Sequence, residues 1–184
     1  MFIYIAQKNL LHVRSVLPAI TPVNFATMAT GAPSDIHNIR DRSEPLIIET
    51  IFLVLSESAT ASRASSTVGI LLSKFANYKG IAESNLDEDV VNIMLDLVKQ
   101  KTPRFILTQL LDIDDTGHKF GLESDEFKTS LSVTDKRLGK ILPCLAKEGY
   151  GLIMLADHGV HQAENKATHD GSTEDDMIVP LTWC

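Results

Sequence analysis

RFILTQLLDIDDTGHKFG, residues 104–121, runs from a nearly unbroken apolar segment directly into a cluster of aspartates and a histidine. Arg104 to Leu111 (RFILTQLL) is short and almost continuously apolar, the pattern of a strand covered on both faces of a parallel sheet. GLIMLADHG, residues 151–159, repeats the arrangement: Gly151 to Ala156 reads as a second such strand, and Asp157-His158-Gly159 follows it at once. Between the two, Asp125 to Glu148 carries Phe127, Leu131, Leu138, Ile141, Leu142 and Leu145 at roughly helical spacing. Pro143 is expected to kink or end that helix. Strand, helix and strand in this order predict a right-handed βαβ crossover, with Asp114 and Asp157 at the carboxyl ends of neighbouring parallel strands.

Working outward, Asp87 to Lys101 (DEDVVNIMLDLVKQK) has acids at its start, bases at its end and an apolar stripe through Val90, Val91, Met94, Leu97 and Val98. This predicts a helix. The Ser/Ala/Thr-rich stretch from Ser56 to Thr67 reads as the nearest thing to a flexible surface segment. Helices alternating with apolar strands predict an α/β fold with a mainly parallel sheet, in which ligands gather at the carboxyl ends of strands.

With 184 residues, 44% hydrophobic and 22% charged, the chain is expected to form one domain over residues 1–184 with a real core. The formal net charge of -7 opposes a nucleic-acid partner, whose phosphates call for clustered Lys and Arg. A small phosphorylated substrate stays compatible where a metal supplies the positive charge. Cys144 and Cys184 lie far apart with no C-x-x-C spacing, so neither a disulfide framework nor a thiolate cluster is indicated. No run is apolar enough to span a bilayer, and the opening MFIYIAQKNLLHVR lacks the basic n-region of a signal peptide. A soluble chain follows, with a cytoplasmic location favoured.

Asp114 and His118 are spaced D-x-x-x-H in what reads as a turn with two glycines, Gly117 and Gly121, a spacing that suits one metal ion, and the adjacent Asp157 and His158 form a second carboxylate–imidazole pair. His161 and His169-Asp170-Gly171 come after. Oxygen and nitrogen donors without thiolates suit zinc or manganese. One such pair is commonly a solvated loop; two pairs, each following a buried-strand pattern, point to a metal site. Near the start, Thr21-Pro22 reads as a helix N-cap with proline at the first helical position, and Gly31 as the stop. A hydroxyl there also sits at the positive end of the helix dipole, where an alkoxide or a phosphate is stabilised, so capping and nucleophile roles both fit Thr21.

Together these elements resemble the nucleotide pyrophosphatase/phosphodiesterase family of the alkaline phosphatase superfamily. Its nucleophile segment is matched by Thr21, Asn24, Thr30-Gly31 and His37, with Asn38 where glycine is usual; Asn tolerates the left-handed conformation. Its D-x-x-G-H-x-x-G motif falls on Asp114, Gly117, His118 and Gly121, its D-H-G on Asp157, His158 and Gly159, and its final metal histidine on His169. Ser172 to Leu181 (STEDDMIVPL) looks like the acidic segment and strand that follow that histidine.

The resemblance implies a three-layer α/β/α alkaline phosphatase-like core, here incomplete at both ends. It implies two divalent metals, zinc or else manganese: one held by Asp114, His118 and His169, the other by Asp157, His158, the Thr21 hydroxyl and a further aspartate. No aspartate occurs between Met1 and Ile20, so the second site is expected to be incomplete and the chain a fragment lacking the first strand. By the same resemblance Thr21 is the nucleophile and Asn24 a hydrogen-bond donor to the phosphate, acting on a phosphodiester or pyrophosphate such as a nucleotide. His37 is expected to be structural and His161 no ligand. A phosphomonoesterase or phosphonate hydrolase of the same superfamily is the alternative, as is a catalytically degenerate metal-binding fragment.

Overall fold

The computed structural model describes residues 9–164 and 166–184. The reading of the opening stretch as free of a signal peptide concerns in large part residues 1–8, outside the described part. In chain order the elements are β1 (Leu10–Arg14), α1 (Thr21–Thr30), α2 (Ser34–His37), α3 (Ile51–Val54), β2 (Ser58–Arg63), a π-helical turn Val68–Leu72, a 3-10 turn Ser73–Phe75, β3 (Tyr78–Ala82), α4 (Asp87–Lys101), β4 (Phe105–Thr108), α5 (Asp112–Phe120), α6 (Asp125–Lys147), β5 (Ile153–Leu155), β6 (His161–Ala163), β7 (Lys166–Thr168), α7 (Glu174–Met177) and β8 (Ile178–Trp183). They fall into two units, Thr21–Leu110 and the chain up to Ile20 taken with Leu111–Cys184. The class is α/β, with helices and strands mixed along the chain.

In the unit Thr21–Leu110, β2 is the middle strand of a parallel sheet ordered β3-β2-β4. Every residue of β2 is buried, which corrects the reading of Ser56–Thr67 as a surface segment. Strands on both sides satisfy its backbone donors and acceptors. Its small side chains, Ala59 and Ala61 among them, leave room for what covers the sheet. Size rather than apolarity is the signal that SATASR carries. The predicted helix is α4, with Val90, Val91, Met94 and Val98 buried, three acids in its first turn and Lys99 and Lys101 in its last. Asp87 at its start is buried and paired with Arg63 at 2.6 Å.

α1 begins at Thr21 and stops where expected, the Gly31 N–H closing on the Thr27 carbonyl at 2.8 Å. Phe25, Ala26 and Ala29 join Ile39, Leu46, Phe52, Val68, Leu71, Leu72 and Ala76 in one core. Phe52 meets Phe105 of β4 edge to face at 5.5 Å between ring centroids. Each fully buried leucine here is worth about 1.5–3 kcal/mol.

In the other unit, β8 is flanked by β1 and β5, both antiparallel, and β6 and β7 form a hairpin. GLIMLA supplies only the three-residue β5, whose Ile153 is 67% exposed. The predicted βαβ crossover is therefore corrected: β4 pairs in parallel with β2, whereas β5 pairs with β8 in a different sheet. Asp114 lies on α5 and Asp157 just after β5, not at the ends of neighbouring parallel strands. The long helix is α6, and Pro143 does not end it. A proline inside a helix forfeits one hydrogen bond and crowds the carbonyl four residues back, about 3 kcal/mol. Ile141 and Leu145, buried on either side of Pro143, oppose that cost.

Candidate metal centre

The D-x-x-x-H segment is a helix rather than a turn. α5 spans Asp112–Phe120, so Asp114 and His118 stand one helical turn apart on the same face. Its N-terminus is tied to α6 through Asp112, whose carboxylate accepts from Arg137 at 2.6 Å. Gly117, between the two ligand candidates, lies against α6 and the β6–β7 hairpin; a Cβ there would meet the Phe127 ring at 3.3 Å and the Ala167 side chain at 3.5 Å. A Cβ at residue 117 would crowd the Phe127 ring by a few tenths of an ångström. That is a packing reason for glycine beside the histidine.

The orientation of each imidazole follows from what its Nδ1 touches. His118 donates Nδ1–H to the Ala167 carbonyl at 2.9 Å, and His169 donates its own to the Ala19 carbonyl at 2.7 Å. A carbonyl only accepts, so in both neutral rings Nε2 carries a lone pair. The two Nε2 atoms face each other at 3.2 Å. Asp114 Oδ1 is 3.4 Å from His118 Nε2 and 3.9 Å from His169 Nε2. That oxygen is buried and has no hydrogen-bond partner. Burial lowers the pKa of His169, the neighbouring His158 adds to the shift, and the bond to Ala19 only partly offsets it. Protonation is a poor way to relieve lone pairs so placed.

A divalent cation relieves them directly. Zinc bonds of 2.0–2.1 Å in tetrahedral array put ligand atoms about 3.3 Å apart, close to the observed separations. Among the described residues, Asp114, His118 and His169 are a group of three whose donor atoms lie within 4.8 Å of one another. The Nδ1–H bonds to backbone carbonyls are the usual outer support of metal-ligating histidines. The residues present therefore fit a metal.

Asp157 and His158 form a pair of the same character. His158 is buried, donates Nδ1–H to the Gly159 carbonyl at 3.0 Å, and turns Nε2 toward Asp157 Oδ2 at 3.4 Å. Its ring stacks on His169, with centroids 3.5 Å apart and planes 17° from parallel. The turn is held from outside: Ser15 Oγ donates to the Asp157 carbonyl at 2.7 Å, and the Gly159 N–H to the Asp176 carbonyl at 2.8 Å. A Cβ on Gly159 would lie 1.8 Å from the Asp175 carbonyl oxygen, so no other residue fits there without moving backbone.

The structure thus brings Asp114, His118 and His169 into one group and stacks His158, with Asp157 beside it, against them. Thr21 and Asn24 occupy the first turn of α1 in the unit Thr21–Leu110, where Asn24 is buried. His37 is buried at the end of α2, where its Nδ1 accepts from the Ile39 N–H and its Nε2 meets Thr27 Oγ1, both at 3.0 Å. Burial, then Arg40, lower its pKa against the pull of Asp35. Asn38 next to it takes the left-handed conformation, φ 55°. Among the described residues His161 lies outside the group of candidate ligands; it bonds Asp176 at 2.7 Å, which raises its pKa. Burial alone would raise Asp176, but bonds from His161 and from the Asp170 and Gly171 amides bring it below the ordinary range. The carbonyls of Ala19 and Ala167, which hold the two imidazoles, and Arg137, which holds Asp112 at the start of α5, carry no motif that marks them; Asp176 lies in the acidic run at 174–176, the one sequence signal near it.

The family description "Type I phosphodiesterase / nucleotide pyrophosphatase" matches residues 50–178. A venom phosphodiesterase of Macrovipera lebetinus is 30% identical over 82% of this chain and 21% of its own. The chain spans about a fifth of the length of the curated relatives it matches. Among solved structures, inactive murine ectonucleotide pyrophosphatase / phosphodiesterase 5 in complex with AMP superposes with a TM-score of 0.67 at 22% identity, covering 89% of this chain and 52% of that one. TAB5 alkaline phosphatase with Mg bound does so with a TM-score of 0.57 at 11% identity, covering 96% and 81%. These two likenesses show an alkaline phosphatase-like fold. No helix among the described residues is long and apolar enough to cross a membrane. The cytoplasmic location expected from the sequence gains no support from relatives named as venom enzymes.

Proposed function

The chain belongs to the type I phosphodiesterase / nucleotide pyrophosphatase family, and from that premise we propose that it is the metal-binding part of a phosphoester hydrolase acting on phosphodiesters or pyrophosphates such as nucleotides. The single observation that carries this reading is the convergence of His118 Nε2 and His169 Nε2, 3.2 Å apart, with Asp114 Oδ1, which is buried and makes no hydrogen bond. Asp114, His118 and His169 would hold one divalent cation, zinc or manganese; Asp157 and His158, with the Thr21 hydroxyl that the family resemblance adds, would contribute to a second site that this chain leaves incomplete. Such cations lower the pKa of a bound hydroxyl and neutralise charge on a phosphoryl oxygen.

In this reading Thr21 Oγ attacks phosphorus in line with the leaving oxygen, forming an O–P bond as the ester or anhydride bond breaks. The threonine-linked phosphodiester so formed still carries the other ester group; water then cleaves its bond to Thr21, releasing the monoester and restoring the hydroxyl. Asn24 donates a hydrogen bond to a non-bridging oxygen. The neutral imidazoles stay fixed in the tautomer that leaves Nε2 free, through their bonds to Ala167 and Ala19. The murine neighbour's complex with AMP supports a nucleotide-sized phosphoester. One catalytic core over the whole chain remains the proposal for its domain organisation.

Hydrolysis of bis-p-nitrophenyl phosphate with added zinc or manganese, compared with p-nitrophenyl phosphate, is the test. The diester is expected to be the better substrate, and Thr21→Ala to abolish turnover while costing about 1 kcal/mol of helix-cap stability. A folded Thr21→Ala protein that keeps most of the activity would remove Thr21 from the nucleophile role.

A further inference from the structure

The carboxylate of Asp176 is fully buried, and each of its oxygens is committed. Oδ1 meets His161 Nδ1 at 2.7 Å; Oδ2 accepts the Gly171 N–H at 3.1 Å and the Asp170 N–H at 3.3 Å. Those two amides are the first after His169. The backbone of the same residue accepts the Gly159 N–H at 2.8 Å, directly after His158. One residue of α7 therefore grips three points: the chain leaving His169, the D-H-G turn, and β6 at His161. None of these contacts reaches a donor atom of the metal group.

An isolated acid in a polar loop has no need of such burial. Removing an ionised carboxylate from water is costly unless hydrogen bonds replace the lost hydration, and here two backbone amides and an imidazole do so. The bonds act on segments that carry His169 and His158, whose rings stack at 3.5 Å. A shift of either segment would move His169 Nε2 away from its 3.2 Å approach to His118.

We propose that Asp176, braced by His161, is a positioning residue that fixes the backbone after His169 and so sets the geometry of the Asp114–His118–His169 metal site. This rests on the reading of His169 as a metal ligand. Asp176 touches neither the metal nor the substrate. It acts through the two amides, as outer partners of metal ligands do when their loss weakens metal binding by 10- to 100-fold.

Zinc affinity of the whole chain, measured by calorimetric titration with zinc chloride alone alongside a circular-dichroism melt of each protein, tests it. Asp176→Ala is expected to weaken zinc binding by roughly 10- to 100-fold, whereas Asp176→Asn, which keeps an acceptor oxygen for the amides, stays close to the unmodified chain. Full affinity in a folded Asp176→Ala protein, or equal loss in the Asn and Ala variants, would overturn the positioning role. Should Asp176→Ala fail to fold, His161→Ala decides: affinity between that of the unmodified chain and His169→Ala is expected, and unchanged affinity overturns the proposal. The reading beneath it fails separately, through a chain that binds no zinc or a His169→Ala variant that binds it equally well.

Discussion

The two units bury their chains by different means. In Thr21–Leu110 a parallel sheet has a middle strand of serine, alanine and threonine, with leucine, valine and phenylalanine packed as a core. In the other unit the central strand β8 is antiparallel to both neighbours, and Ile153, Leu155 and Trp183 stand exposed. Its order is concentrated instead in polar contacts: Arg137 with Asp112, Asp176 with His161, and histidines with carbonyls. The contrast teaches where tolerance is to be found. Apolar packing should carry stability in Thr21–Leu110, and directional contacts should carry geometry in the unit that holds the candidate ligands.

Leu71→Ala is the largest expected stability effect. It empties a fully buried core position and should cost about 2–5 kcal/mol in chemical denaturation; a loss under about 1 kcal/mol would break the claim that apolar packing dominates this unit. A smaller effect is expected from pH. His37 has a folded pKa below its unfolded value, so the unfolded chain takes up its proton first. The stability this gives is present above about pH 6.5 and is lost as pH falls from there through the folded pKa. His37→Gln should flatten part of that decline between melts at neutral and mildly acidic pH; an unchanged slope would show that His37 is not held neutral. The smallest effect belongs to Ile153→Ala, which removes a side chain 67% exposed and should stay within about 0.5 kcal/mol. A loss comparable to that of Leu71→Ala would erase the contrast between the units.

Much of this was legible in the sequence. The α4 helix declares itself through charge order and stripe, and the stop at Gly31 through its residue type. The metal group is legible because Asp114, His118 and His169 sit in a spaced pattern of donors. What misled were residues whose burial does not follow their polarity. SATASR is buried because its first five side chains are small, Ser58 to Ala61 pair with β4, Ala59 to Arg63 pair with β3, and Arg63 is matched to Asp87, while GLIMLA forms a short strand with exposed side chains because its described neighbours lie only along β8. D-x-x-x-H reads as a turn because of its glycine, yet Gly117 serves close packing of a helix. The acidic run at 174–176 hints at Asp176, but its partners, two amides and a histidine, lie 5, 6 and 15 residues away and carry no motif.

X-ray absorption at the zinc edge, recorded with one equivalent of zinc on the whole chain, tests the central claim most directly. Asp114, His118 and His169 predict nitrogen and oxygen neighbours at about 2.0–2.1 Å with the multiple scattering of two imidazoles, reduced to one in His118→Ala. Sulfur scattering at about 2.3 Å, from Cys144 or Cys184, or an imidazole signal unchanged in His118→Ala, would contradict it.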